Sequence, residues 1–125
     1  MQFARYTFAA AGTIGILVLL PMYFLLEKTG NNNPPPVTHP EFYYGFVGVA
    51  LAFQIVFLMI ASDPVKYRPL MIASIVEKFI FVIPTFYLYS QGRVAGAIMG
   101  GAALDLFWGI LFIIGYLRSR PSLVR

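Results

Sequence analysis

A chain of 125 residues that is 59% hydrophobic and only 11% charged is no ordinary soluble domain, in which about a quarter of the residues carry charge; its mean hydropathy of +0.77 places it in a bilayer. The lack of cysteine excludes disulfides, thiolate catalysis and zinc-thiolate or iron-sulfur sites, and one histidine, His39, leaves no ligand set for a haem or metal within one chain. The net charge of +4 reads as topology and headgroup contact, not nucleic-acid binding.

A hydrocarbon core about 30 Å thick takes about 20 helical residues per crossing. The chain therefore has room for four crossings and no soluble domain. The expected fold is all-α: a single four-transmembrane-helix antiparallel bundle over residues 1–125.

The first span covers residues 6–26, follows Arg5 and contains no charge. Its length is near a full crossing, and the following EKTGNNNPPP offers no small-x-small cleavage site, so it reads as a retained anchor and not a signal peptide. Pro21 kinks it or marks an early exit. Ala11 and Gly15 form a small-xxx-small pair that permits close helix approach.

Residues 27–41 form the longest loop. Gly30, three asparagines and four prolines are expected to stop a helix there, and Pro34, Pro35 and Pro36 favour extended polyproline geometry. His39 and Pro40 open the second helix, with Glu41 near its positive dipole end. Tyr43 and Tyr44 belong to an interface belt. His39 and Glu41, two positions apart, make too sparse a set for a metal site.

The second span, residues 42–62, has Gln54 as its one strongly polar member. At 100° per residue, Tyr43, Val47, Ala50, Leu51, Phe57, Leu58 and Ala61 share the face of Gln54, with Gly45, Gly48 and Ala52 opposite. Asp63-Pro64 stops this helix. Lys66, Tyr67 and Arg68 form a basic aromatic segment, and Pro69 suits a first helical turn.

The third span, residues 69–90, carries Ser74, Glu77, Lys78 and Pro84. Gln91-Gly92-Arg93 is a short turn that makes the third and fourth helices an antiparallel hairpin. The fourth span, residues 94–117, places Asp105 near its centre. Arg5, Lys66, Arg68, Arg118, Arg120 and Arg125 fall on one side of this topology, against only Lys28 and Arg93 on the other. The positive-inside rule then sets both termini in the cytoplasm, across a bacterial inner membrane.

Three features carry the functional expectations. The first is the intramembrane polar set Gln54, Glu77, Lys78 and Asp105, costly in hydrocarbon and so either a ligand pocket or a structural network. Counting helical rise puts Gln54 and Glu77 about 12 Å and Asp105 about 18 Å from the basic boundary. Side chains lean toward their helix N-terminus, which predicts a vertical polar ladder without a Lys78–Asp105 ion pair. In the structural version, Glu77, Gln54 and Asp105 form a network and Lys78 snorkels to the headgroups. The second feature is the run Gly92, Gly96 and Gly100, a smooth strip opposite Asp105 that serves helix packing or a partner chain. The third is the His39–Glu41 loop, read as a proline-stiffened connection.

The run HPEFYYGFVGVALAFQIVFLMIASDPVKYRPLMIASIVEKF, with the later YSQGRV and ALDLFWGILF, resembles a family of uncharacterised small bacterial four-helix integral membrane proteins. The resemblance spans residues 38–117 and implies the fold but no residue's role. In architecture alone the chain is similar to DoxX-like proteins, some of them quinone-linked accessory subunits. The small multidrug transporters differ in carrying their acid in the first helix. The sterol-isomerase-like proteins share intramembrane carboxylates without a residue-by-residue match.

The sequence has no phosphate-binding glycine loop, no HExxH and no triad-like spacing, so no catalytic residue and no metal ligand is assigned. Two functions are expected. One is a non-catalytic accessory or structural subunit that associates with itself or with a larger membrane complex. The other is a small-molecule or lipid-binding bundle, a transporter or isomerase-like protein, whose carboxylates would meet a bound lipid or quinone.

Overall fold

The computed structural model describes residues 2–32 and 34–121. Asn33 of the long loop and Arg125 of the basic count lie outside the described residues. Helix α1 (Gln2–Leu19) passes into a 3₁₀ turn (Leu20–Phe24). A short α2 (Leu26–Asn32) comes next, and then three helices of 23 residues each: α3 (Pro40–Ser62), α4 (Arg68–Ser90) and α5 (Gly96–Arg118). The first span, Gln2–Phe24, also has 23 residues, and all four long elements are apolar enough to cross a membrane. At the helical rise each reaches about 34 Å, enough for the hydrocarbon core. The protein is a multi-pass membrane bundle with both ends of the described chain at one end.

Three expected boundaries move. The first helix starts at Gln2, taking in Arg5, and its α-geometry stops at Leu19. Pro21 has no N–H to donate, so the span tightens into 3₁₀ form. The loop at residues 27–41 is partly helical: Leu26–Asn32 winds nearly two turns, with the Thr29 N–H on the Leu25 carbonyl at 2.8 Å. Gly30 and the asparagines therefore do not stop a helix there. Gly30 lets the returning chain cross it, since a methyl group there would come within 2.9 Å of the Val37 nitrogen. Helix α5 starts at Gly96, not residue 94, because Gly92 closes α4. With φ at +69°, Gly92 adopts the left-handed conformation, and the Arg93 N–H reaches back to the Leu88 carbonyl at 2.9 Å. This is a Schellman-type stop.

Helix α1 lies along α3, and α4 lies along α5 as the expected hairpin; α1 also meets α5, and α3 meets α4 less extensively. The α1–α3 approach is close because Gly12 has no side chain: a methyl group there would sit 2.8 Å from the Gln54 backbone oxygen. Nearer the termini α1 and α5 converge, with Gly115 against Ala4. Phe8, Phe57 and Phe112, all fully buried, fill this half. Phe8 stacks on Phe112 at 4.2 Å between centroids, and Phe57 meets Phe112 edge-on at 4.9 Å.

Both ends are fastened by polar groups. Arg68 donates from Nε and Nη2 to the Tyr116 carbonyl at 3.1 and 2.9 Å, with its guanidinium 3.7 Å over the Tyr116 ring. It thereby satisfies one of the carbonyls left unpaired where α5 ends. At the other end the Tyr43 hydroxyl donates to the Met22 carbonyl at 2.7 Å, and Tyr23 stacks on Tyr44.

Unfolded membrane helices remain in hydrocarbon, so core truncation here forfeits packing contacts more than transfer energy. Phe112→Ala is expected to destabilise the bundle by about 2 kcal/mol. Phe107→Ala, on an exposed face of the same helix, should change stability little. Reversible unfolding of both variants in mixed micelles checks the contrast.

Candidate functional site: an ion triad on a membrane-embedded cavity

Helix α4 turns Lys78 into the bundle interior, with its side chain only 7% exposed. Its ammonium donates to Asp105 Oδ1 of α5 at 3.2 Å and lies 3.6 Å from Glu77 Oε2. The Phe57 ring of α3 lies beside it, 5.2 Å away at the centroid. The close α4–α5 approach beneath this triad depends on Gly109, where a methyl group would come within 2.9 Å of Phe79 and 3.3 Å of the Lys78 Cβ.

The Lys78–Asp105 contact corrects the expected ladder. The counted offset between Lys78 and Asp105, about 4.5 Å, is within the span of a lysine stem, whose methylenes pack along apolar surface while its head seeks a partner. The inclination of Cβ therefore does not decide where Nζ goes. Lys78 does not snorkel to the headgroups, and the expected Glu77–Gln54–Asp105 network is not formed. Gln54 is 3% exposed, and its amide donates to the Ala50 carbonyl of its own helix at 2.8 Å.

The four polar residues do meet on one surface. They line a cavity of about 270 Å³ between the four long helices. Gly15 and Val18 of α1, Ala50 of α3, Phe81 of α4, and Gly101 and Trp108 of α5 supply apolar walls. Phe46 and Phe81, with rings 5.8 Å apart, join α3 to α4 along it. Exposed lining residues fall mainly on α1, at Ile14 and Val18, and on α5, at Ala97, Gly101 and Leu104. These exposed lining residues give the cavity its opening on the α1–α5 side of the bundle, the seam between the two helices.

Gly15 belongs to the site for a specific reason. A methyl group there would overlap the Gln54 amide, so the glycine makes the space in which Gln54 is held. The sequence showed this position only as half of a small-residue pair. Trp108, three residues after Asp105 on the same helix, also belongs to the cavity wall.

The other candidates do not join this site. Gly92 lies in the turn, so the strip on α5 reduces to Gly96 and Gly100. Both are exposed, and a methyl group on either would meet nothing within 4 Å. His39 Nδ1 and Glu41 Oε1 are 3.2 Å apart on an exposed first turn. Among the described residues no group of three or more His, Cys, Asp or Glu could hold a metal ion.

No protein-family model, curated protein or solved structure matches this chain. The chemistry of the site therefore stands on its geometry. It combines an apolar recess, access from the bilayer side and a charged inner wall of one ammonium and two carboxylates.

Gly15→Ala is expected to destabilise the bundle by about 1–2 kcal/mol through overpacking against Gln54. In a Gln54→Ala background the same substitution should cost almost nothing, because the two positions are coupled by direct contact. A double-mutant cycle of unfolding free energies measures this.

Proposed function

We propose that the protein is a membrane-embedded binding protein that takes a small amphipathic molecule from the bilayer through the seam between α1 and α5. The observation that carries this reading is the cavity itself: Glu77, Lys78, Asp105 and Gln54 converge on its wall, among otherwise apolar residues. Small-molecule sites have this composition, a mostly hydrophobic enclosure with a few convergent polar groups. Intramembrane charges also mark ligand or ion pathways. A recess of about 270 Å³ is at the small end for such sites, so it suits the polar head and first carbons of a ligand whose tail stays in lipid. Among the expected ligand classes this favours lipid-like molecules. No bond-making step is assigned to the triad.

The alternative, an accessory subunit in a homo-oligomer or larger complex, draws support from the exposed Gly96–Gly100 face of α5. A neighbouring helix could approach closely there. The two readings are compatible, since this strip is on a different face from Asp105. In both, the basic residues at the terminal end support cytoplasmic termini, as in the bacterial inner membrane inferred from sequence.

Trp108 is the only tryptophan and lines the cavity, so its fluorescence reports occupancy directly. Brominated dodecyl probes with ammonium, alcohol or sulfonate heads are titrated into protein in phosphatidylcholine nanodiscs. At least one head should give quenching that saturates at one probe per chain. Gly101→Leu, which projects into the cavity from a position with room for a side chain, should abolish the saturable component. Quenching that rises only with probe concentration in the bilayer, equally in the variant, would contradict the binding role.

A further inference from the structure

The charge arrangement at the inner wall deepens the binding role and bears on the class of ligand; a ligand class rests on that role being correct. Two carboxylates, Glu77 and Asp105, share one ammonium, Lys78. The other residues lining the cavity, on α1, α3, α4 and α5, carry no charge. With all three groups ionised, the wall holds one negative charge in excess, in surroundings where an uncompensated charge is expensive.

Hydrogen bonding leaves the same imbalance. Glu77 Oε2 is buried and has no hydrogen-bond partner among the described residues; the Lys78 ammonium, at 3.6 Å, is beyond hydrogen-bond reach. Gln54 spends its donor on the Ala50 carbonyl, which leaves its side-chain oxygen as an acceptor beside Gly15 on the cavity wall. The wall therefore offers more acceptors than free donors and, with both acids ionised, negative charge. Lys78, the one cationic donor, is committed between two acids and is a poor receptor for an anionic head.

We infer that the cavity selects amphiphiles with a cationic, hydrogen-bond-donating head, of the primary alkylammonium class, and holds the head between the Glu77 carboxyl, Asp105 and the Gln54 oxygen while the alkyl body leaves through the α1–α5 seam. The head supplies the missing charge and the missing donors together, and a charge-assisted hydrogen bond is the strongest contact available to it. An alcohol supplies a donor without charge, and a sulfonate supplies neither.

The three brominated dodecyl probes separate these cases through Trp108 quenching in phosphatidylcholine nanodiscs. The ammonium probe should bind at least about tenfold more tightly than the alcohol, and the sulfonate should give no saturable quenching. Glu77→Gln and Asp105→Asn, both near-isosteric, should each weaken the ammonium probe by about tenfold or more, with helical circular dichroism verifying the fold. An alcohol or sulfonate that binds as tightly as the ammonium, or ammonium binding indifferent to both substitutions, overturns the cation inference and leaves the cavity reading standing. Saturation by no probe overturns the cavity reading itself. Where the ammonium binds as expected, repeating its titration in nanodiscs containing phosphatidylethanolamine identifies the source. Weaker binding indicates competition from a lipid amine headgroup, and unchanged binding indicates a free amphiphilic amine; the cation inference holds in either case.

Discussion

Lys78 is the group around which the bundle must be arranged. An ammonium with two carboxylates in hydrocarbon costs several kcal/mol per ion unless each finds a partner. Helices α4 and α5 give Lys78 its two acids because a short turn makes the helices neighbours and Gly109 lets them approach closely. The remaining helices then act as cover. Phe57 of α3 presents its ring to the ammonium, and α1 closes over the terminal half through Phe8 and Ala4. The triad is kept from the open bilayer without being sealed into a dry core.

The two halves of the bundle handle packing differently. In the terminal half, three phenylalanines interlock, small residues let α1 meet α5, and Arg68 clasps the last turn of α5. In the other half small residues shape the recess as well as letting helices approach. Gly15 makes space for Gln54, and Ala50 and Gly101 leave wall without bulk. A bundle that needed only stability would fill this volume, since van der Waals contact is the main attraction between membrane helices. Rigid packing on one side and a polar recess on the other give a scaffold that holds a site in fixed geometry.

Much of this was legible in the sequence because hydrophobic length is a strong signal. Four spans follow from the requirement that backbone groups be satisfied inside the bilayer, and Glu77, Lys78 and Asp105 stand out as charges in apolar runs. The pairing was harder. Cβ direction pointed Lys78 away from Asp105, but a flexible four-carbon stem overrides that inclination, and no periodicity argument contains the stem. The short α2 was hidden behind glycine and asparagine, which disfavour helix only mildly. Gly92 was misplaced in the α5 strip because spacing by four cannot distinguish a helical glycine from one that ends the preceding helix. The sequence left a ligand pocket and a structural network as alternatives, because the cavity walls come from helices far apart in the chain.

The most direct test is the placement of Lys78. The chain has three lysines and two aspartates, so dipolar recoupling between lysine ¹⁵Nζ and aspartate ¹³Cγ in bilayers gives few signals to assign. A strong Lys78–Asp105 coupling, absent in Asp105→Asn, is predicted by the 3.2 Å contact and would place the ammonium inside the bundle on the cavity wall. A Lys78 nitrogen with no coupling to Asp105 and with contacts to lipid phosphate instead would put it at the headgroups and contradict the site.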